Sequence, residues 1–171
     1  KKSAKKLLLT SGSPAAPQLG GSNSGYAFAT KMGHSLIPRH PSLVQLCSEE
    51  QWVKASAGVK IAGIAQLYAN GEYITEKKGD LLFTNYGISG LAILDLSREV
   101  STRLANYDYC ELNLDLIPEM SKEKLTNILL NRIEKEGTKP ITLWLQGVLN
   151  KKLIHIVLEQ SKCKASTENE L

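Results

Sequence analysis

The middle of the chain alternates hydrophobic and polar residues in the way that is typical of β-strands. Two extended stretches, Val59–Tyr68 and Glu72–Thr75, flank Asn70-Gly71, a dipeptide that readily takes the positive φ angles of a type I′ turn. The pattern therefore predicts a β-hairpin at this point. A further strand is predicted over Asp80–Thr84, where the sequence is again apolar.

A second strand region is predicted over residues 109–116. Leucines at alternate positions give this strand one apolar and one polar face. These leucines are Leu112, Leu114 and Leu116. Between the two strand regions, Ser89-Gly90 is suited to opening a helix, with Ser89 as its cap. The apolar face expected for that helix consists of Ala92, Ile93 and Leu96.

Beyond residue 118 the hydrophobic period becomes that of a helix. Ser121 precedes apolar residues at helical spacing, and Gly137 followed by Pro140 is expected to end the helix. The apolar residues are Leu125, Ile128, Leu129 and Ile133. Two shorter helices are predicted over Ile141–Leu149 and Lys152–Gln160.

The N-terminal region predicts a strand, a glycine-rich loop and a helix. Leu7–Leu9 form a short apolar run that is typical of a buried strand. After the loop, Ser22 or Asn23 is placed to cap a helix that ends at Gly33. One side of this helix carries Tyr26, Ala29 and Met32.

Two prolines, Pro38 and Pro41, interrupt regular structure and mark a boundary. The patterns together predict an α+β protein with three parts. Residues 1–36 form the strand-loop-helix unit, residues 37–118 form a β-rich domain, and residues 119–171 form a helical subdomain with a polar tail. That tail has too few apolar residues to become ordered by itself.

Composition narrows the class of protein. Hydrophobic residues make up 42% and charged residues 22% of the 171 residues, a balance typical of globular proteins. The apolar runs are far shorter than the roughly 20 residues of a membrane helix, and no signal peptide is visible, so a cytoplasmic location without membrane contact is expected. A net charge of +4 permits nucleic-acid binding but does not indicate it, because the lysines are interspersed with acidic residues.

Cysteine and histidine residues do not occur at metal-ligand spacing, so no metal site is predicted, and the odd number of cysteines favours reduced thiols. They are Cys47, Cys110, Cys163, His34, His40 and His155. The chain begins with Lys1 and has no methionine before Met32. We therefore expect a processed or interior piece of a longer protein.

The stretch Gly20–Gly25 is the first candidate for ligand contact, because glycines let backbone N–H groups approach an anion at a helix N-terminus. Neither a P-loop nor the G-x-G-x-x-G spacing is present, so a nucleotide hydrolase is not expected. Ser89 does not lie in a G-x-S-x-G elbow, and three S-x-x-K matches lack their companion motifs. These patterns do not predict a hydrolase.

Two stretches taken together resemble one family. The first contains Thr10-Ser11-Gly12, Pro17-Gln18-Leu19-Gly20 and Gly25-Tyr26, and the second runs from Gly79-Asp80-Leu81-Leu82-Phe83-Thr84 to Gly87-Ile88-Ser89-Gly90. In order and spacing they resemble the BaiN and aminoacetone-oxidase type of bacterial FAD-dependent flavoproteins. The proline-rich passage 37–44 is similar to that family's entry into its insert domain, so the resemblance covers most of the chain.

The resemblance implies a Rossmann-like FAD-binding domain, of which residues 1–36 are a remnant, and an insert made of a small β-barrel and a helical subdomain. It implies that five residues lie near the flavin or its phosphates: Gly12, Gln18, Gly20, Gly25 and Tyr26. It places Thr84, Gly87 and Ser89 in the insert, near the contact with the flavin domain. No motif identifies a catalytic acid or base.

The leading hypothesis is therefore a piece of an FAD-dependent oxidoreductase, in which a hydride passes between the flavin and either NAD(P)H or an organic substrate that the sequence does not identify. The insert would shape substrate access, and the remainder of the FAD-binding domain would be its partner. By itself the piece is expected to be inactive and to bind FAD weakly or not at all. Residues 1–36 are expected to pack unusually or to mediate self-association through the cut sheet. A non-enzymatic protein- or RNA-binding module is the alternative, based on the positive charge.

Overall fold

A computed structural model describes residues 4–136 and 139–161. The chain divides into two compact units, of which the first ends at Arg39 and the second begins at His40. An antiparallel sheet followed by helices confirms the predicted α+β class. The predicted division into three parts is finer than these two units and stays a prediction. None of the described helices has the length and apolar content needed to cross a bilayer.

The first unit contains a short turn and a helix. Pro17–Leu19 form one turn of 3₁₀ helix, and α1 spans Ser24–Lys31. Gly33 ends α1 as predicted, with a φ of +91° that glycine adopts without steric cost. The N–H of His34 donates a hydrogen bond to the carbonyl oxygen of Ala29 (3.1 Å), which satisfies one of the last carbonyls of the helix.

One prediction for the first unit is wrong. Leu7–Leu9 form no strand: Leu8 is 85% exposed, and the run pairs with no other described segment. A strand needs both pairing and burial, and apolar composition alone supplies neither. Of the two predicted caps of α1, Asn23 occupies the N-cap position without a capping side-chain hydrogen bond, and Oγ of Ser22 accepts a hydrogen bond from the N–H of Ser24 (3.3 Å), the first residue of the helix.

Five antiparallel strands form the sheet of the second unit, in the order β1-β4-β3-β2-β5. Their bounds are β1 Leu46–Cys47, β2 Lys60–Ala69, β3 Glu72–Phe83, β4 Gly87–Ser89 and β5 Cys110–Asp115. The β2–β3 hairpin turns at Asn70 (φ +52°) and Gly71 (φ +84°), the positive angles that the predicted type I′ turn requires. Exposure alternates along β5, which confirms the predicted half-exposed strand.

Strand β3 joins two strands that the sequence predicts separately. In the intervening segment 76–79, Glu76, Lys77 and Lys78 are charged and exposed and Gly79 has no side chain, so the hydrophobic signal disappears there. Backbone pairing with β2 nevertheless continues, with Lys77 opposite Ala65 and Gly79 opposite Gly63. The pairing follows the neighbouring strand rather than local hydrophobicity.

Five helices complete the described part of the second unit. They are α2 Gln51–Ala55, α3 Leu91–Ala105, α4 Lys122–Glu136, α5 Ile141–Trp144 and α6 Lys151–Gln160. The helix predicted over Ile141–Leu149 is wrong beyond Trp144, because Gly147 (φ +80°) turns the chain and Gln146 bridges to Leu149. Gly137, predicted to end α4, and most of the predicted tail Ser161–Glu170 lie outside the described residues.

Ser89 does not cap α3, contrary to the prediction. It is the last residue of β4, and the N-cap of α3 is Gly90, at φ +100° and without a side-chain cap. A Cβ at Gly90 would lie 2.2 Å from the carbonyl oxygen of Asp80. Glycine is therefore required here by both the backbone angle and the close approach of β3.

The main core lies between the sheet and α3, and α6 contributes Leu153 to it. Its largest buried members are Leu67, Leu81, Phe83, Ile93 and Leu96. A smaller core holds the helices together and consists of Leu145, Ile154 and Leu158. Adjacent residues of α6 thus face two cores, which ties the helices to the sheet.

Gly63 lies at a crowded point in the middle of the sheet. A Cβ there would lie 2.5 Å from Cδ1 of Leu81 and 2.8 Å from the carbonyl oxygen of Asp115. Strand β2 pairs with β3 on one side and β5 on the other, so both neighbours approach this position at once. Because Gly63 has no side chain, the three strands can curl around this position.

Candidate functional site

The residues predicted to contact a cofactor lie in the first unit, in the loop 11–21 and the first turn of α1. Gly12 (φ +72°) and Gly20 (φ +86°) both need glycine for their backbone angles. No other atom of residues 4–136 or 139–161 lies within 4 Å of the Cβ that either could carry, so their backbone borders open space. Gln18 is exposed in the 3₁₀ turn.

Gly25 is buried where α1 packs against this loop. A Cβ on Gly25 would lie 1.8 Å from Oγ of Ser11, and one on Gly21 would lie 2.4 Å from the carbonyl oxygen of Ser13. The two glycines therefore let the loop fold back onto the start of α1. This packing role accounts for both residues without a ligand.

Arg39 lies against Tyr26 and was not among the residues predicted from the sequence. Its guanidinium carbon lies 4.2 Å from the centre of the Tyr26 ring, and its Nη1 donates to Oδ1 of Asn23 (3.0 Å). Asn23 is thereby held by Arg39 instead of capping α1. The contact places a positive charge beside the start of the helix.

The first turn of α1 has free hydrogen-bond donors. The N–H groups of Gly25 and Tyr26 donate to no atom among the described residues. Unpaired N–H groups at a helix N-terminus, together with the helix dipole, favour an anion. With Arg39 nearby, this is the part of the first unit best suited to a negatively charged group.

An apolar cavity of about 380 Å³ borders α1. Tyr26 and Met32 line it from the helix, and Leu7, Leu9 and Leu36 line it from the flanking segments. Among the residues that the structure describes, the lining has no acidic or basic group apart from His34. The cavity therefore suits an uncharged group, in contrast to the polar start of the helix.

Thr84, Gly87 and Ser89 hold β4 in place. Oγ1 of Thr84 accepts from the N–H of Gly87 (3.1 Å) and donates to its carbonyl oxygen (2.9 Å). A Cβ on Gly87 would lie 1.9 Å from the carbonyl oxygen of Leu46, so β1 can pair only with glycine at this position. Ser89 is buried in the same strand. Their expected contact with a flavin domain stays a prediction.

Cys110 on β5 is not suited to act as a nucleophile. Burial raises the pKa of its thiol, and the nearby Asp108 carboxylate raises that pKa further. Because the thiolate is the reactive form, a raised pKa leaves this side chain mainly protonated and unreactive at neutral pH. This environment is typical of a structural thiol.

A cavity of about 500 Å³ lies between α4 and α5. Arg132 and Lys135 line it, together with Asn131, Gln146 and Trp144, and the described lining residues include no carboxylate. The guanidinium of Arg132 donates to the backbone oxygen of Trp144, which holds the two helices together. The cavity has the charge to receive an anion.

Known proteins match both units. A family model described as "HI0933-like protein barrel and H2TH domain" matches residues 40–170. The chain is 31% identical over 158 residues to a 3-dehydro-bile acid delta(4,6)-reductase of Clostridium scindens, covering 92% of this chain and 39% of the relative.

Two further relatives are ribosomal RNA dihydrouridine synthases. The one from Haemophilus influenzae is 30% identical over 159 residues, which is 91% of this chain and 36% of the relative. The one from Escherichia coli is 28% identical over 137 residues, which is 78% of this chain and 32% of the relative. The chain thus spans between about a third and two-fifths of the length of these relatives.

Proposed function

Because this chain belongs to the HI0933-like barrel and H2TH family, we propose that it is part of an FAD-dependent reductase, in which it supplies an insert domain and a stretch of the flavin-binding domain. The sequence motifs of this chain resemble the same family. The observation that carries the proposal is the extent of the similarity: it covers 92% of the chain and therefore runs through both units.

The first unit would supply one side of the flavin site. Open backbone at Gly12 and Gly20, free N–H groups at Gly25 and Tyr26, and the charge of Arg39 fit the pyrophosphate of a dinucleotide. FAD, when bound, would supply the hydride for the reaction. The residues of this chain would orient the cofactor and balance its charge.

The second unit would control which substrate reaches the flavin. The relatives are named for a bile acid and for ribosomal RNA, two substrates that differ greatly in size. We propose hydride transfer to an unsaturated organic substrate, with NAD(P)H as the reductant. The remainder of the FAD-binding domain, outside residues 1–171, would be the partner that completes the active site.

The test is flavin binding by the complete protein that contains this chain. We expect it to purify with the visible absorption of a flavin and to oxidise NAD(P)H. Arg39→Ala should weaken FAD binding about tenfold, the loss of roughly 1.4 kcal/mol expected for one charged contact. Arg98→Ala removes an exposed arginine of the second unit and should change nothing. A protein that neither carries nor takes up FAD would overturn the proposal.

RNA binding is the second candidate, and the cavity between α4 and α5 favours it. We expect Lys135→Ala to weaken binding of a ribosomal RNA fragment and to reduce its salt dependence, since one phosphate contact is lost. Lys124→Ala removes an exposed lysine of the same helix that does not line the cavity. Equal affinities for the two variants would reject this cavity as an RNA site.

A further inference from the structure

The two edge strands of the sheet border one cavity. Strands β1 and β5 lie at opposite ends of the strand order, yet residues of both line a space of about 420 Å³. From β1 and the residue after it come Leu46, Cys47 and Ser48. From β5 and the residue before it come Tyr109, Cys110, Glu111, Leu112, Asn113 and Leu114. The sheet therefore curls until its edges face each other.

The cavity is bordered by strand edges rather than by strand faces. Successive side chains of a strand point to opposite faces, so a space on one face is lined by alternate residues. Here unbroken runs of three and six residues line the space. A gap beside the backbone itself contacts every residue of a strand in this way. Glu50, Trp52 and Val53, in and next to α2, border the same space.

Hydrogen-bond alternation identifies the free backbone groups along β5. The N–H of Asn70 donates to the carbonyl oxygen of Tyr109 (2.8 Å), and bonded pairs recur at every second residue of an antiparallel ladder. The residues of β5 that bond to β2 are therefore Glu111, Asn113 and Asp115. Those whose N–H and C=O groups point into the gap are Cys110, Leu112 and Leu114.

The same reasoning applies to β1. The N–H of Ser48 donates to the carbonyl oxygen of Tyr86 (3.0 Å), so the backbone groups of Cys47 point away from β4 and toward the gap. Neither these groups nor those of β5 have another partner within residues 4–136 and 139–161. Both sides of the gap thus offer unpaired strand edges, which is a template for strand addition.

Strand direction determines what can fill the gap. Each neighbouring pair in the order β1-β4-β3-β2-β5 is antiparallel, so β1, β3 and β5 run in the same direction. Direct pairing of β1 with β5 would therefore be parallel. One added strand, antiparallel to both, lets the barrel close with antiparallel pairs throughout.

We propose that a sixth β-strand fills this gap and closes the barrel, and that it comes from the part of the flavoprotein outside residues 1–171. The relatives are more than twice as long as the matched region, so they contain further residues that could supply a strand. Gln160, the last residue of α6, lines the same cavity, so α6 ends at the gap. The added strand would alternate apolar residues toward Leu112 and Leu114 with polar residues outward.

Hydrogen exchange in the complete flavoprotein tests this proposal. We expect the N–H groups of Cys47, Cys110, Leu112 and Leu114 to exchange at least about 100-fold more slowly than in an unstructured chain, as paired strand amides do. A variant that ends at Leu171 should lose this protection. Protection of Glu111 and Asn113, which bond to β2, should persist in the shortened variant and shows that its sheet is folded.

Each alternative occupant gives a different result. Fast exchange of the four amides in the complete protein would overturn the proposal, because the gap would then be open. Protection that persists in the shortened variant and depends on protein concentration would assign the gap to a second copy of the chain. Protection that persists in the shortened variant and does not depend on protein concentration would show that residues 1–171 close the gap by themselves. None of these measurements depends on flavin content, so they can fail independently of the proposed function.

Discussion

The hydroxyl of Ser97, buried in α3, accepts a hydrogen bond from the backbone N–H of Val44 (3.1 Å) and donates one to the carbonyl oxygen of Leu94 (2.7 Å). Val44 lies two residues before β1. The hydroxyl of Ser97 therefore connects the segment before β1, an edge strand, to α3, the helix that packs on the sheet.

We expect Ser97→Ala to destabilise the protein by about 1–2 kcal/mol, because the N–H of Val44 would lose its partner. Chemical denaturation measures the change, and faster hydrogen exchange should appear at residues 44–47. Thr102→Val also removes a helix hydroxyl, but one that bonds only to a carbonyl of its own helix, and it should have little effect. Equal stabilities for the two variants would contradict the fastening role of Ser97.

Gly87 is predicted to tolerate no side chain. Gly87→Ala would place a methyl group on the carbonyl oxygen of Leu46 and should cost about 3 kcal/mol, as expected for overpacking between strands. Gly58→Ala is the control: its φ of +87° makes alanine strained by about 1 kcal/mol, but its surroundings are empty. Denaturation midpoints compare the two, and a smaller loss for Gly87→Ala than for Gly58→Ala would refute the steric argument.

Asn70 stabilises the hairpin in two ways. Its backbone adopts a positive φ, and its side chain accepts from the N–H of Tyr109 (2.9 Å) and donates to Asp108 (2.9 Å). Asn70→Gly keeps the turn and loses the side-chain bonds, whereas Asn70→Ala loses both. We expect losses of about 1 and 2 kcal/mol respectively, measured by urea denaturation. The reverse order would show that the turn angle does not matter.

The ion pair between Lys78 and Glu119 should be visible in a titration. Nζ of Lys78 lies 2.5 Å from Oε1 of Glu119, and this hydrogen bond lowers the pKa of the carboxyl group. The stabilisation is therefore present above the pKa of Glu119 in the unfolded chain, and it is lost as the pH falls through the lower folded value. Both side chains are exposed, so the effect on overall stability should be small.

Carboxyl NMR measures that pKa directly. Lys78→Met should raise the pKa of Glu119 toward its usual range, and high salt should do the same in the native protein. Lys124→Met removes an exposed lysine elsewhere and should leave the pKa of Glu119 unchanged. An unchanged value in Lys78→Met would mean that the pair does not form in solution.

The features that could be predicted from sequence are those set by local chemistry. Asn70-Gly71 specifies its own turn because few other dipeptides take two positive φ angles, and Gly33 ends α1 for a related reason. The alternation along β5 likewise reports directly on which side chains are buried. In each case a few adjacent residues contain the whole physical cause.

The features that were missed depend on distant partners. β1 and β4 have two and three residues, too few for a periodic signal, and they exist because Gly87 lets them pair. Leu7–Leu9 have strand-like composition but no described neighbour to pair with. In the candidate site, Arg39 reaches Tyr26 across thirteen residues, and no sequence pattern encodes that contact. The predicted cofactor contacts of Gly12, Gln18, Gly20, Gly25 and Tyr26 remain proposals.

The crowding at Gly63 has a consequence for mutational scans of this protein. A scan should find position 63 among the least tolerant, since even one methyl group would force β2 away from β3 and β5. An investigator who searches for active-site residues by intolerance to substitution alone would therefore select Gly63. Glycine is required at this position because the sheet bends there. Loss of activity there would measure the shape of the protein, and only variants that keep this shape can report on its chemistry.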